Sequence, residues 1–296
     1  MNLIILLVIQ MEERYERELE VALGLAKEAG AVIRDFYFDV GSNLQVELKG
    51  DSTPVTLADK TANKLILDGI RRNFLEDIIV SEECETDYGN NDDDYTRECL
   101  RRVWYIDPLD GTRGFINRTD QFAVHIGLAV GHFPVLGVVY KPVSGECYYG
   151  IKGRGAYLVN PQGLSKKISV GPGLDEKLRL VLDKEALVDE KWKPLLEGLK
   201  SFGPFYFQVS GSEGLRIMKI AEGLADLHTN NRADVCSTWD LCAPQIIAEE
   251  AGAIVRYIGG RRIRYHEQRK LEEFFVVART ESDYELMSHL ISGFLV

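Results

Sequence analysis

The apolar positions along the chain follow a helical period first, then a strand-like one, and then alternate between the two. Residues 12–38 carry apolar residues on one helical face and charged residues on the other, which predicts an amphipathic helix. Residues 56–74 repeat the pattern after Thr56, a favourable N-cap residue. A short buried strand is predicted at residues 78–80. The acidic stretch 84–99, which also contains Asn and Gly, predicts a surface loop.

Short apolar runs separated by Gly or Pro fill the middle of the chain, which is typical of an antiparallel meander. After residue 163, strands alternate with helices, which favours a mixed sheet flanked by helices. The predicted strands span residues 103–106, 122–130, 135–140, 147–151, 156–159, 178–182, 206–209 and 225–227, and the later helices span residues 185–200, 213–222, 239–251 and 282–292. We therefore expect an N-terminal extension (1–10), an α+β half (11–163) and an α/β half (164–296), packed as one body.

The bulk composition narrows the class of protein. The net charge is −11 and the sequence pI is about 5.1, without a basic stripe, so nucleic acid polymers are poor partners. Five scattered cysteines without a C-x-x-C pair predict reduced thiols and a cytoplasmic location. The apolar run at residues 3–9 is too short to span a membrane and lacks the features of a signal peptide, and Met11 is an alternative start.

The motif Asp107-Pro108-Leu109-Asp110-Gly111-Thr112 is the strongest chemical signal and follows an apolar strand. Pro108 cannot continue a sheet ladder and Gly111 permits tight turning, so the chain is expected to leave the strand here. The two aspartates and the Leu109 carbonyl would offer hard oxygen ligands to small cations. Taken alone, the Asp-x-x-Asp spacing favours a turn whose aspartates cap neighbouring amides.

The complete motif resembles the hallmark of the inositol monophosphatase superfamily. Trp239-Asp240 with Ala243 and Glu250-Ala251-Gly252 resembles a second family motif, and Glu82-Glu83 resembles a third. All three occur in the family's order, and the resemblance spans residues 19–277. It implies a layered αβαβα sandwich of the sugar-phosphatase type.

The resemblance also implies a site. Metal ligation is assigned to the side chains of Glu82, Asp107, Asp110 and Asp240 and to the carbonyl of Leu109. We expect two or three Mg²⁺ ions, with Mn²⁺ as a substitute, because all the ligands are oxygens. Li⁺ sensitivity is a further family expectation.

Catalytic and binding roles follow from the same resemblance. The Thr112 hydroxyl is assigned to orienting the attacking water, with Asp51 of the D-x-[ST]-P-V-T-x-x-D segment as its supporting carboxylate, and Glu83 is added to the catalytic set. Gly111 and Thr112 would seat the phosphoryl oxygens on backbone amides. Arg216 is a candidate contact for a second phosphate, or else a surface helix residue, and Ser212 is a further substrate-binding candidate.

The expected activity is Mg²⁺-dependent hydrolysis of a small phosphorylated metabolite. The D-x-[ST]-P-V-T form and the Trp239–Pro244 stretch are nearest to the 3'(2'),5'-bisphosphate nucleotidase branch, so 3'-phosphoadenosine 5'-phosphate is the first substrate candidate. Inositol phosphates and sugar phosphates such as fructose 1,6-bisphosphate stay open because Gly114, Ala253 and Arg216 depart from the usual pattern. A non-catalytic phosphometabolite sensor is a third hypothesis. Such a sensor would be expected to lack a metal ligand or the catalytic threonine, and this sequence has both. A monomer or a homodimer is expected.

Overall fold

The computed structural model describes residues 15–39, 46–48, 54–84, 101–171, 177–201, 205–230, 236–265, 269–271 and 273–294. None of the helices in these ranges combines the length and apolar character needed to cross a membrane. The first half contains helices α1 (Glu16–Phe38), α2 (Leu57–Asn73) and α3 (Thr112–Ile116) and strands β1 (Glu47–Leu48), β2 (Pro54–Val55), β3 (Ile78–Ser81), β4 (Arg102–Asp110), β5 (Ala123–Val130), β6 (Phe133–Tyr140), β7 (Cys147–Ile151), β8 (Gly155–Val159) and β9 (Ser165–Ile168). The second half contains β10 (Leu178–Leu182), α4 (Lys184–Val188), a 3₁₀ turn (Glu190–Trp192), α5 (Lys193–Lys200), β11 (Phe205–Val209), α6 (Glu213–Ala221), β12 (Leu227–Thr229), α7 (Thr238–Glu250), β13 (Ile254–Tyr257), β14 (Phe275–Ala278) and α8 (Glu281–Phe294).

Two large sheets organise the described residues. In the first, seven strands follow chain order from β3 to β9, with β3 and β4 parallel and the other neighbours antiparallel. In the second, the order is β11-β10-β12-β14-β13, with parallel pairs around β10 and antiparallel pairs around β14. The predicted meander and the predicted mixed sheet are both confirmed.

The central strands of each sheet are buried on both faces, so they are mostly apolar on both sides. Trp104 and Ile106 of β4 pack in the core that includes α1 and α2, whereas Tyr105 packs in the core that includes α6 and α7. On the second sheet, Val277 joins the α6–α7 core and Val276 joins the core formed with α5 and α8. The layers therefore alternate α, β, α, β, α, as the resemblance implied.

Three glycines let helix α7 lie unusually close to the first sheet. Gly127, Gly137 and Gly150 are paired with one another across β5, β6 and β7. A Cβ on Gly137 would lie 2.3 Å from the Ala243 carbonyl oxygen, and one on Gly127 would lie 2.8 Å from the Ala243 nitrogen. Side chains there would push the helix outward. The glycine row thus sets the depth at which α7 carries Asp240 toward β4.

Several predicted boundaries are wrong in detail. The helix expected over residues 185–200 is interrupted, because the Asp189 side chain accepts the Lys191 N–H at 3.0 Å and starts a 3₁₀ turn. The strand expected at 225–227 begins only at Leu227, since the Ala225 N–H still bonds to Lys219 at the end of α6.

Other elements were not predicted, or their extent was underestimated. The strands β9, β13 and β14 were not anticipated. The proposed division at residue 163 falls inside the hairpin that joins β8 to β9, so the first sheet extends past it to Ile168. The division of the chain into an N-terminal and a C-terminal half stays a prediction.

Candidate metal centre

Strand β4 delivers two aspartates through a bulge. Asp107 lies opposite His125 on β5 and Asp110 lies opposite Ala123, with a register shift between the two pairs. Three residue steps on β4 thus face two on β5, which is the arrangement of a β-bulge. The prediction that the chain leaves the strand at Pro108 is wrong, because pairing resumes at Asp110. The Asp107 Oδ1 accepts the Leu109 N–H at 2.9 Å, which fixes the first carboxylate.

Helix α7 delivers the third aspartate from its first turn. Ser237 caps the helix, and the Asp240 Oδ2 accepts the Ser237 N–H at 2.7 Å in a capping box. Asp240 is therefore bonded locally like an ordinary acid at the start of a helix. Its surroundings differ from those of an ordinary cap, because one oxygen each from Asp107, Asp110 and Asp240 lie within 4.8 Å of one another.

Asp107 and Asp110 are buried and Asp240 is partly buried, and the charges of the cluster oppose one another. Asp107 is 2% exposed and Asp110 is 8% exposed. Burial, followed by the charges of Glu82, Asp110 and Asp240, raises the pKa of Asp107 well above its ordinary value. Burial and the charges of Asp110 and Glu82 do the same to the pKa of Asp240. Oxygens held this close without a cation are unfavourable, so the donor set fits hard divalent cations.

Glu82 reaches the same cluster from the end of β3. Its backbone N–H bonds to the Ile106 carbonyl at 3.1 Å, which continues the β3–β4 pairing by one residue. Its side chain hydrogen-bonds Asp107 and is among the charges that raise the pKa of both Asp107 and Asp240. Glu83, the next residue, is close enough to Asp59 for its charge to raise the pKa of that carboxyl. The structure therefore brings together all four carboxylates that the sequence proposed as ligands.

A hydroxyl–carboxylate pair lies beside the cluster. The Thr112 Oγ1 is 3.2 Å from the Asp59 Oδ1 and 3.2 Å from the Leu109 carbonyl oxygen. Asp59 is fully buried at the start of α2, where its Oδ2 also accepts the Thr56 N–H at 2.8 Å. Burial outweighs these hydrogen bonds and raises the pKa of Asp59 to about 6.

Asp59, rather than the predicted Asp51, is thus the described carboxylate in contact with Thr112. Asp51 lies outside the described residues, and its support of Thr112 stays a prediction. Asp59 is the last residue of the D-x-[ST]-P-V-T-x-x-D segment, in which only Asp51 was assigned a role. The signal was present in the Thr-x-x-Asp spacing, which forms a capping box with Thr56.

Asp110 is anchored by the first turn of α6. Its Oδ2 accepts the Ser212 hydroxyl and the Gly214 N–H, the latter at 2.9 Å, and its Oδ1 lies 3.3 Å from the Glu213 nitrogen. The Nε2 of the buried His125 lies 3.2 Å from the same Oδ2. Ser212 therefore orients a carboxylate of the cluster, and its predicted contact with substrate stays a prediction.

Arg216 lies in a buried ion network. Its guanidinium bonds to Glu213, to Asp183 at 3.1 Å and to the Ser210 carbonyl at 2.6 Å. Burial alone would raise the pKa of Glu213, but Arg216 and His228 outweigh it and lower that pKa. Arg216 is 5% exposed, so the alternative that it is a surface helix residue is wrong. Its contact with a second phosphate stays a prediction, and two carboxylates already balance its charge.

At the predicted phosphate-binding turn, Gly111 has the tightly turned backbone conformation that the sequence predicted. Gly111 has φ +90°, in the left-handed region, and precedes α3. A Cβ there would lie 2.5 Å from the Gln121 carbonyl oxygen. A Cβ on Gly114 would meet the same oxygen at 2.5 Å, which explains why this chain has glycine where the family motif usually carries a polar residue.

Comparisons with known proteins agree with this geometry. Residues 14–292 match the sequence profile described as "Inositol monophosphatase family". The chain belongs to the inositol monophosphatase family. The 3'(2'),5'-bisphosphate nucleotidase CysQ of Salmonella typhimurium is 34% identical over 83% of this chain and 93% of its own length. An inositol monophosphatase of Mesembryanthemum crystallinum is 31% identical over 80% of this chain and 84% of its own length.

A solved family member has the same architecture. The crystal structure of CysQ from Bacteroides thetaiotaomicron aligns with a TM-score of 0.74 at 28% identity, and it covers 90% of this chain and 99% of that one. The resemblance and the layered fold class predicted from the motifs are therefore confirmed. Family membership also makes the protein a metal-dependent phosphatase of small phosphorylated metabolites, in line with the acidic cluster.

Proposed function

We propose that this protein is a Mg²⁺-dependent phosphomonoesterase that hydrolyses 3'-phosphoadenosine 5'-phosphate or a related 3'(2'),5'-bisphosphate nucleotide. One observation carries the proposal: oxygens of Asp107, Asp110 and Asp240 converge within 4.8 Å in a buried site beside Thr112. The similarity to CysQ nucleotidases over most of the chain supports the substrate class. Mg²⁺, and a count of two or three ions, are proposed from the all-oxygen donor set.

The described residues divide the work of the reaction between them. Asp107, Asp110, Asp240 and Glu82 would hold the divalent cations, with the Leu109 carbonyl as a further donor. Bound cations supply the positive charge that attracts the anionic phosphoryl group and stabilises the charge developing on its oxygens. In the reaction, the water oxygen bonds to phosphorus, the bond from phosphorus to the ester oxygen breaks, and one proton of the water ends on that ester oxygen, which leaves as a hydroxyl group.

Thr112 would orient that water. When its hydroxyl donates to Asp59, the oxygen keeps its lone pairs, so it can accept a hydrogen bond from the attacking water. Asp59 serves best as an acceptor when ionised, which favours activity above the pKa of about 6. Glu83 and Asp51 are proposed as further members of the catalytic set, and the backbone amides of Gly111 and Thr112 as contacts of the phosphoryl oxygens.

A phosphate-release panel tests this proposal. It should contain 3'-phosphoadenosine 5'-phosphate, inositol 1-phosphate and fructose 1,6-bisphosphate, each with Mg²⁺ and with EDTA. We expect the largest kcat/KM for the nucleotide, no turnover in EDTA, and loss of activity in Asp110→Asn. The exposed Asp35→Asn variant on α1 is the matched control and should keep full activity. Full activity of Asp110→Asn would refute the proposal.

The second candidate is an inositol monophosphatase that tolerates sugar phosphates, which the similarity to the Mesembryanthemum crystallinum enzyme favours. A large preference for inositol 1-phosphate in the same panel would select it. Metal-dependent binding of all substrates without turnover would instead support the sensor hypothesis. A cytoplasmic location and a monomeric or homodimeric state stay predictions.

A further inference from the structure

The short segment 269–271 pairs with the chain that leads into helix α7. The Arg269 carbonyl accepts the Thr238 N–H at 3.0 Å, and the Leu271 N–H bonds to the Cys236 carbonyl at 2.9 Å. Ser237, the cap of α7, forms an isolated antiparallel bridge with Lys270. The backbone of this segment is therefore fixed against the residues that place Asp240.

The Arg269 side chain extends from this segment to a different part of the site. Its Nη1 donates to the Cys84 carbonyl at 2.7 Å, and its Nη2 lies 3.1 Å from the Ser81 carbonyl oxygen and 3.3 Å from that of Glu82. These three carbonyls belong to the turn in which β3 ends and from which Glu82 projects. One planar guanidinium thus contacts three carbonyls of that turn, which a single ammonium could not do with the same geometry.

The same guanidinium also packs on Trp239. Its central carbon lies 4.6 Å from the centroid of the Trp239 ring, within the range of a cation–π contact. Trp239 immediately precedes Asp240. Arg269 therefore contacts Trp239, which precedes the candidate ligand Asp240, and also the backbone of Glu82, another candidate ligand.

We propose that Arg269 is a positioning residue of the metal centre, because it holds the turn that carries Glu82 against the start of helix α7 that carries Asp240. Electrostatics explain the need for such a residue. Glu82 lies close to the carboxylates of Asp107 and Asp240, and their mutual repulsion favours outward movement of the turn whenever the cation is absent. Arg269 opposes this movement through backbone carbonyls, which leaves the carboxylate oxygens available to the cation. The inference rests on the proposed function only in assuming that the cluster binds divalent cations.

The test measures Mn²⁺ binding directly, by the loss of the free Mn²⁺ signal in electron paramagnetic resonance. Arg269→Gln should raise the dissociation constant of Mn²⁺ about tenfold, as is common for residues that orient metal ligands. Arg269→Lys should recover part of the affinity, since lysine retains the charge and one donor group. Arg262→Gln is the matched control: Arg262 is exposed and packs on Phe133 with its guanidinium 4.2 Å from the ring centroid. Its dissociation constant should equal that of the wild type.

A purely structural role makes a different prediction. It would lower the melting temperature of Arg269→Gln in EDTA while leaving the Mn²⁺ dissociation constant within fivefold of the wild-type value, and that result would overturn the proposal. A rise of fivefold or more supports it. If Arg269→Gln does not fold, Arg269→Lys is judged instead: a rise of about twofold or more supports the proposal, and a smaller rise overturns it.

Mn²⁺ binding needs no substrate, so the two proposals can fail separately. A wild-type protein that binds Mn²⁺ and hydrolyses nothing in the panel refutes the proposed function, while the role of Arg269 is still decided by the dissociation constants. A wild-type protein that does not bind Mn²⁺ overturns both.

Discussion

Replacing Asp107 by Asn should stabilise the metal-free protein while abolishing its activity. The substitution preserves size and an acceptor for the Leu109 N–H, but it removes one of the buried negative charges. Two charges 4.8 Å apart repel one another by about 3.5 kcal/mol at an effective dielectric constant of about 20. Proton uptake relieves part of this repulsion, because the pKa of Asp107 is already raised by burial and by its neighbours. We therefore expect a net gain of roughly 2 kcal/mol at pH 8, or about 3 °C in melting temperature for a chain of this length.

Melting temperatures of wild type and Asp107→Asn, each in EDTA and in Mg²⁺, give the assay. Mg²⁺ at 100 times its dissociation constant should stabilise the wild type by about 2.7 kcal/mol and the variant by much less. Asp226→Asn is the matched control, because Asp226 is buried but paired with Arg179 at 2.7 Å and Arg279 at 3.3 Å. It should lose about 3–5 kcal/mol in either buffer. The reasoning is refuted if Asp107→Asn melts below the wild type in EDTA, or if Mg²⁺ raises the melting temperature of the variant as much as that of the wild type.

Three further predictions concern the surroundings of the cluster. The pKa of Asp59 is raised from 3.8 to about 6 in the folded protein, so its contribution to stability is greatest below pH 3.8 and is lost as the pH rises toward 6. In metal-free urea titrations, the difference in unfolding free energy between wild type and Asp59→Asn should therefore change by about 3 kcal/mol over this window. A difference that stays constant with pH would contradict this prediction. Thr112→Val should lower kcat at least about 100-fold with little change in KM, whereas Thr112→Ser should keep most of the activity because it retains the hydroxyl. Steady-state rates of Thr112→Val equal to those of the wild type would show that the Thr112 hydroxyl has no part in the mechanism. Gly137→Ala should lower the free energy of unfolding by about 1–3 kcal/mol, because its Cβ would meet the Ala243 carbonyl oxygen at 2.3 Å. Gly24→Ala in helix α1, where nothing lies within 4 Å, should raise that free energy by about 0.5–1 kcal/mol. Thermal melts that rank the two variants in the opposite order would refute this packing account.

The parts of the site that could be predicted are those encoded within a few residues. Asp107, Leu109, Asp110, Gly111 and Thr112 lie in one continuous motif, so their proximity follows from chain connectivity. The bulge between the two aspartates could not be read from that motif. It depends on the register of β5, which resumes pairing with Asp110 after the proline.

Contacts between distant segments were harder to predict because no local pattern encodes them. Asp59 bonds to Thr112 across 53 positions, and in the sequence it looks like a capping residue of α2, which it also is. Arg269 is in no motif, and its contacts with Ser81 and Glu82 depend on how the two halves pack. The strand β14 was overlooked because its four apolar residues are too short to carry a period of their own.

Anomalous diffraction from crystals soaked in Mn²⁺ tests the central claim most directly. If the four carboxylates form one metal centre, peaks should appear between the side chains of Asp107, Asp110 and Asp240, with Glu82 at their edge, and should disappear in Asp107→Asn. Ordered Mn²⁺ elsewhere on the protein, with no peak between these carboxylates, would contradict the account.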